Sequence, residues 1–302
     1  MTVAQLAGPG TATATAETRS ITLDAGGITL SALLARPSNA PCRAMVVALH
    51  GAGMSAAYFG GPAHPETSFL SLAADLGFAA VAVDRPGYGH SARQLPEGQG
   101  IADQAATLAA ALRGLAARYD TGAGIFLLAH SFGGKAALRI AADGAVPGLL
   151  GLDISGCGDE YAAPPVAEAP RGGRNWRLNW GPLRLYPPGT FQAGGTVVAP
   201  VPPRELADAV RWQEEFADLA GRIRVPVRLT FAEHESWWRH DQQAVARLRS
   251  RLSASPRVVI DHQPDAGHNI SLGWTARAYH LRTLGFVEEC AGRRGAGKDH
   301  RT

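Results

Sequence analysis

The residues with the most chemistry in their spacing are Ala129-His130-Ser131-Phe132-Gly133-Gly134. A continuous apolar run, Gly124 to His130, leads into this segment, and an Ala/Leu-rich stretch of helical period, Gly133 to Asp143, leads out of it. A serine on a sharp strand-to-helix turn holds its hydroxyl clear of the backbone as a nucleophile, with small residues two places before and after it because the two backbones run close there. Here those places are Ala129 and Gly133. The bland alternative is an ordinary turn with a helix-capping serine. Three further segments bear on the choice. His50-Gly51-Ala52-Gly53-Met54 ends an earlier apolar run and offers backbone N–H groups for a developing oxyanion, Ala52 first and Gly53 as its neighbour, with the Phe132 amide as the second donor. Phe231-Ala232-Glu233-His234-Glu235 supplies a carboxylate directly after a run, and Asp265-Ala266-Gly267-His268-Asn269 supplies an imidazole on a loop before a helix. In that arrangement His268 takes the proton of Ser131 and returns it to the leaving group, while the carboxylate orients the ring.

These segments need elements to position them. Short Val/Ile/Leu runs (29–35, 44–50, 79–84, 124–130, 149–155, 225–231 and 258–262) alternate with helical stretches over 66–76, 101–119, 133–143, 241–252 and 275–289. Continuous apolar strands alternating with helices predict an α/β fold with a mostly parallel sheet covered on both faces. Residues 156–203 break the rhythm with Pro, Gly, Trp and Arg, and an irregular stretch of that length reads as a lid or binding element.

Composition narrows the class. The 302 residues are 46% hydrophobic and 18% charged, enough apolar material for a large core. The net charge of +3 is carried by the last ten residues, so the body is near neutral and no nucleic-acid-coating surface is expected. Lys135 and Lys298 are the only lysines. The three cysteines, Cys42, Cys157 and Cys290, have no metal or CxxC spacing, and no apolar run is long enough to span a membrane. A cytoplasmic protein without metal or cofactor is the expectation. The segment 1–20 reads as a flexible tail, and 291–302 as a basic flexible tail.

Taken together, His50-Gly51, Asp84-Arg85-Pro86-Gly87-Tyr88-Gly89-His90-Ser91, Ala129 to Gly134, Ala232 to Glu235 and Gly267-His268 resemble the α/β-hydrolase superfamily over about residues 20–290. The resemblance implies an eight-stranded sheet flanked by helices, with a core of 21–155 and 221–290 and a cap inserted at 156–220, after the sixth strand. It implies the chain order Ser131, acid, His268. It aligns the acid on Glu235, where the family more often has Asp. Asp153, at the end of the preceding strand, is the rival because some members carry the acid there; Glu233 and Asp241 are lesser candidates. The Asp84 to Ser91 segment supports the floor of the site in such proteins. The family's halide and epoxide hydrolases carry Asp where this chain has Ser131.

The implied activity is hydrolysis of a small-molecule ester or thioester through an acyl-serine. Acyl transfer from the same intermediate to an alcohol, amine or thiol is the alternative, and a catalytically silent ligand-binding protein is another. In the insert, Trp176, Trp180, Tyr186 and Phe191 alternate with Arg171, Arg174, Arg177 and Arg184. Trp176, Trp180, Arg177 and Tyr186, with Trp237 beside Glu235, are the candidates for substrate contact; the arginines would meet an anion or an acidic carrier protein. The opposing reading is that the aromatics anchor the cap and the arginines are solvated.

Overall fold

The computed structural model describes residues 17–38, 40–163, 165 and 176–299. Strands β1 (Arg19–Asp24) and β2 (Thr29–Ala35) form a hairpin, followed by β3 (Met45–Leu49), α1 (Phe69–Asp75), β4 (Ala79–Val83), α2 (Ile101–Arg118), β5 (Ile125–His130), α3 (Phe132–Ala142) and β6 (Leu149–Ser155). The insert contributes α4 (Trp176–Trp180), α5 (Gly194–Val197) and α6 (Pro203–Ala220), after which β7 (Val227–His234), α7 (Gln242–Arg251), β8 (Val258–Gly267) and α8 (Ala276–Asp299) complete the chain. The sheet runs β1-β2-β4-β3-β5-β6-β7-β8. Strand β2 is antiparallel to both neighbours and every other pairing is parallel.

Side chains alternate across a strand, and the two cores follow from that alternation. Met45, Val47 and Leu49 of β3 face Leu108 and Leu112 of α2 and Leu138 of α3. Val46 and Ala48 face the opposite way, towards Phe69 and Leu70 of α1 and Tyr279 and Val287 of α8. With both faces covered, every residue of β3, β4 and β5 is buried, which is why these strands read as unbroken apolar runs.

Several boundaries differ from the sequence reading. The helix expected from Glu66 begins at Phe69, after a 3-10 turn at Pro65–Thr67, because the Ser68 hydroxyl caps it through Ser71 N–H at 3.2 Å. The first strand already pairs at Arg19, inside the expected tail. Helix α8 continues to Asp299, so most of the expected flexible C-terminal tail is helical. Residues 1–16 and 300–302 lie outside the described residues. The insert is joined to the core, since Trp212, Phe216 and Leu219 of α6 are buried in the same cluster as α3.

Candidate active site

Ser131 sits between β5 and α3 with φ 51° and ψ −118°, one of two non-glycine residues at positive φ among those described. That conformation is strained for a side-chain-bearing residue and persists where surrounding contacts fix it. Ser131 N–H donates to Ser155 C=O at 2.8 Å, and Gly134 N–H returns to Ser131 C=O at 2.9 Å. A Cβ on Gly133 would fall on the carbonyl oxygens of Leu49 and His50, which are backbone atoms that cannot move aside. Ala129, by contrast, is accommodated in the core. The turn therefore demands glycine on its helix side only.

Glu235 follows β7 and His268 follows β8, so two adjacent strand ends deliver them to Ser131. His268 Nε2 lies 3.1 Å from Ser131 Oγ. His268 Nδ1 lies 2.8 Å from Glu235 Oε2 and 3.1 Å from Oε1. With the ring proton on Nδ1 facing the carboxylate, Nε2 is left to accept from the serine hydroxyl. Trp237 N–H donates to Glu235 Oε1 at 2.9 Å and fixes its carboxyl. Gly156, at φ +60°, leaves room for the imidazole: a Cβ there would stand 2.7 Å from His268 Cε1.

The other candidate acids are committed elsewhere. Asp153 is fully buried, accepts from Arg228 Nη1 at 2.5 Å and from Tyr279 Oη at 3.4 Å, and makes no bond to His268. Glu233 accepts from Asp265 N–H at 2.8 Å, bracing the strained turn before His268. Asp241 caps α7 through Ala244 N–H at 3.1 Å.

Ala52 and Phe132 both line the cavity beside Ser131. Phe132 is the first residue of α3, where an amide has no carbonyl one turn behind it. Gly53 is not equivalent to Ala52, because its N–H already donates to Tyr88 Oη at 3.0 Å. The tyrosine hydroxyl in turn donates to Glu205 Oε2 of α6 at 2.8 Å. Arg85 Nη1 meets Glu205 Oε1 at 2.5 Å, while its Nε and Nη2 donate to the His50 and Gly51 carbonyls at 2.7 and 3.1 Å. Both partners of this ion pair are fully buried. One carboxylate of the insert thus fastens the loop at residues 50–54 from behind.

Two histidines near the site are held neutral. Burial first, and Arg85 second, lower the pKa of His50 well below 6.5, and its Nε2 accepts from Arg85 N–H at 3.1 Å. Burial and then His268 lower that of His130, whose ring stacks on Tyr58 at 4.8 Å. A neutral ring beside His268 places no competing charge there.

The cavity over Ser131 measures about 270 Å³. Of the five residues expected to contact substrate, Trp237 lines it, with its indole N–H bound to Asn179 Oδ1 at 2.8 Å. The other four do not. Trp180 is buried against Tyr186 and Phe191 at 5.2 and 4.9 Å, and Tyr186 Oη donates to Trp180 C=O at 2.8 Å. Trp176 is 42% exposed and leans on Phe191, and Arg177 and Arg184 are exposed. These aromatics hold the cap together, because an irregular segment needs apolar anchors more than a small cavity needs four more rings. Arg171 and Arg174 lie outside the described residues. Trp238 lines the cavity as well, and the walls overlooked in the sequence are Lys135 and Tyr161. Lys135 was within reach of sequence reasoning, standing one helical turn after Ser131; Tyr161 lies in a segment with no periodic signal. Among the described residues no cluster of His, Cys, Asp and Glu suits a metal, and no helix is long and apolar enough to cross a membrane.

The sequence model described as "Alpha/beta hydrolase family" matches residues 46–278. No curated protein matches the chain in sequence. Among solved structures, a highly thermostable carboxyl esterase from Bacillus coagulans in complex with glycerol superposes with a TM-score of 0.67 at 16% identity, covering 91% of this chain and 99% of that one. An E-2-(acetamidomethylene)succinate hydrolase gives 0.64 at 18% identity, with 90% and 100% covered. A cold-adapted esterase from an Arctic intertidal metagenomic library gives 0.56 at 18%, with 95% and 99% covered. At these identities the likeness is one of fold.

Proposed function

The chain belongs to the alpha/beta hydrolase family, and from that premise we propose that it is a serine-dependent acyl hydrolase acting on a small-molecule ester or thioester. The observation that carries this reading is the unbroken relay from Glu235 through His268 to Ser131, with contacts of 2.8 and 3.1 Å. Ser131 Oγ attacks the acyl carbonyl as its proton passes to His268 Nε2, and Glu235 stabilises the imidazolium. The tetrahedral oxyanion is received by the N–H groups of Ala52 and Phe132. His268 then protonates the departing alcohol or thiol, leaving an acyl-serine. A water gives its proton to His268 and attacks that acyl group, a second oxyanion collapses, and the proton returns to Ser131 as the acid leaves.

The test is labelling with an active-site fluorophosphonate, together with turnover of a short-chain 4-nitrophenyl ester and the matching thioester. The wild type labels and turns over. Ser131→Ala does not label and loses at least about a thousandfold in kcat. A folded wild type that neither labels nor turns over is the silent ligand-binding protein instead. Adding an alcohol, amine or thiol acceptor separates hydrolysis from acyl transfer, with free acid the expected product.

A further inference from the structure

Among the described residues, Lys135 is the only lysine or arginine lining the cavity, and no aspartate or glutamate lines it. The side chain is 3% exposed and hangs from α3 one turn after Ser131. Its Nζ donates to Tyr161 Oη at 2.6 Å, and that hydroxyl in turn donates to Ala209 C=O at 2.9 Å. Four rings surround the ammonium: Phe132, Tyr161, Trp212 and Trp238, at 5.1, 5.3, 5.4 and 5.6 Å from Nζ. Among the described residues no carboxylate lies within ion-pair distance of it. An ammonium has three protons to donate, and here one neutral oxygen takes one of them. Aromatic faces offset part of the cost of burying such a charge, but an anion offsets far more. Phe132, Tyr161 and Trp238 line the cavity with Lys135, so the charge stands at its wall, not in a separate core.

Building on the acyl-hydrolase reading, we propose that Lys135 is the anion-binding group of the acyl pocket, and that the preferred substrate is the monoester or monothioester of a short dicarboxylic acid. The free carboxylate pairs with Nζ inside the aromatic cage while the esterified carbonyl faces Ser131. One helical turn separates the two residues, a rise of about 6 Å between their Cα atoms, and the cavity of about 270 Å³ suits a short acyl chain. The neighbouring charges leave this role open. From α6, Glu205 is bound to Arg85, Asp208 to Arg211 and to Ile101 N–H, and Glu215 makes no ion pair with Lys135. From the segment after β6, the buried Cys157 thiol is pushed up to about 12 and the Tyr161 phenol is raised, so both stay neutral. Burial lowers the Lys135 pKa to about 8, while Glu205, Glu215 and Asp208 pull the other way, and the charge is therefore present at neutral pH and shed above it.

The experiment compares 4-nitrophenyl monoglutarate with the neutral 4-nitrophenyl valerate. The wild type is expected to favour the anionic ester at least tenfold in kcat/KM at pH 6.5. In Lys135→Met the ratio falls to near one, and because it is a ratio, any loss common to both esters cancels; Lys135→Arg retains part of it. Should Lys135→Met not fold, inhibition of the wild type decides. Glutaramate competes at least tenfold more tightly than the neutral valeramide at pH 6.5, and the gap closes by pH 9.5. A wild-type ratio near one, an unchanged ratio in Lys135→Met, or equal inhibition by the two amides overturns the assignment. If both esters are hydrolysed equally and Ser131 still labels, only the Lys135 proposal falls. If neither ester is hydrolysed and nothing labels, the hydrolase reading falls with it.

Discussion

On the core side of the cavity, Ser131, Glu235 and His268 are held by backbone. A positive φ, a glycine whose Cβ would strike two carbonyls, and strand ends one sheet position apart leave these side chains little freedom. On the cap side, the chain is irregular and is held by side chains: the Trp180, Tyr186 and Phe191 cluster, the α6 residues Trp212 and Phe216, and one buried pair, Arg85 with Glu205. The difference teaches where substitutions should register. Loss of the functional group of Ser131, Glu235 or His268 falls on rate, since geometry survives while chemistry is lost. Damage to the cap side falls first on stability, since the contacts there are what give the segment its shape.

The sharpest way to break this contrast is to exchange two buried carboxylates that look alike in sequence. Glu235→Gln is expected to lower kcat by about a thousand- to ten-thousandfold with little change in melting temperature. Asp153→Asn leaves Arg228 without its closest carboxylate and is expected to cost about 3–5 kcal/mol in denaturant unfolding, with a far smaller loss of rate. The reverse pattern would make Asp153 the acid. On the cap side, Glu205→Gln strands the buried Arg85 and weakens the anchor of the loop at residues 50–54. The expected loss is about 3 kcal/mol in stability, with a drop in kcat smaller than that of Glu235→Gln; a stable variant at wild-type melting temperature would show that the cap is not held this way.

Acid should expose the cost of the buried neutral rings. His50 and His130 are held well below their ordinary 6.5, and burial takes His280 to about 3. Because the unfolded chain binds these protons and the folded chain does not, stability is intact above about pH 6.5 and declines below it. The slope is about 1.4 kcal/mol per pH unit for each ring, measurable as a fall in urea midpoint from pH 7.5 to 5.5. A flat profile would mean that these rings take up protons in the fold. The smallest effect is expected at the exposed Arg177: replacement by Ala should change stability by less than about 0.5 kcal/mol and leave KM for a neutral ester unaltered. A tenfold rise in KM would return Arg177 to the substrate site.

Much of the site was legible because its signals are local. The strand, serine and glycine of 125–134 are contiguous, and the turn they build depends on backbone clearance that residue type reveals. The acid was not settled in the same way, since Asp153 lies near the end of one apolar strand and Glu235 directly after another; Arg228 claims Asp153 through a contact 75 residues away in sequence. The helix over Pro203–Ala220 was missed, although Trp212, Phe216 and Leu219 recur at helical spacing, because the irregular stretch before it set the expectation for the whole insert.

From the amino-acid order alone came the alternation of strand and helix and the irregular stretch after residue 155, which depend on near neighbours and on periodicity. The insertion after the sixth strand and the chain order of serine, acid and histidine came from the resemblance of local motifs. Tertiary structure decided which carboxylate meets the imidazole, that Gly53 gives its N–H to Tyr88, that the cap's tryptophans face one another and not the cavity, and that Lys135 stands alone among rings. Each of those outcomes is a competition between partners far apart in the chain for the same hydrogen bond or the same buried space, and folding is what brings the competitors together.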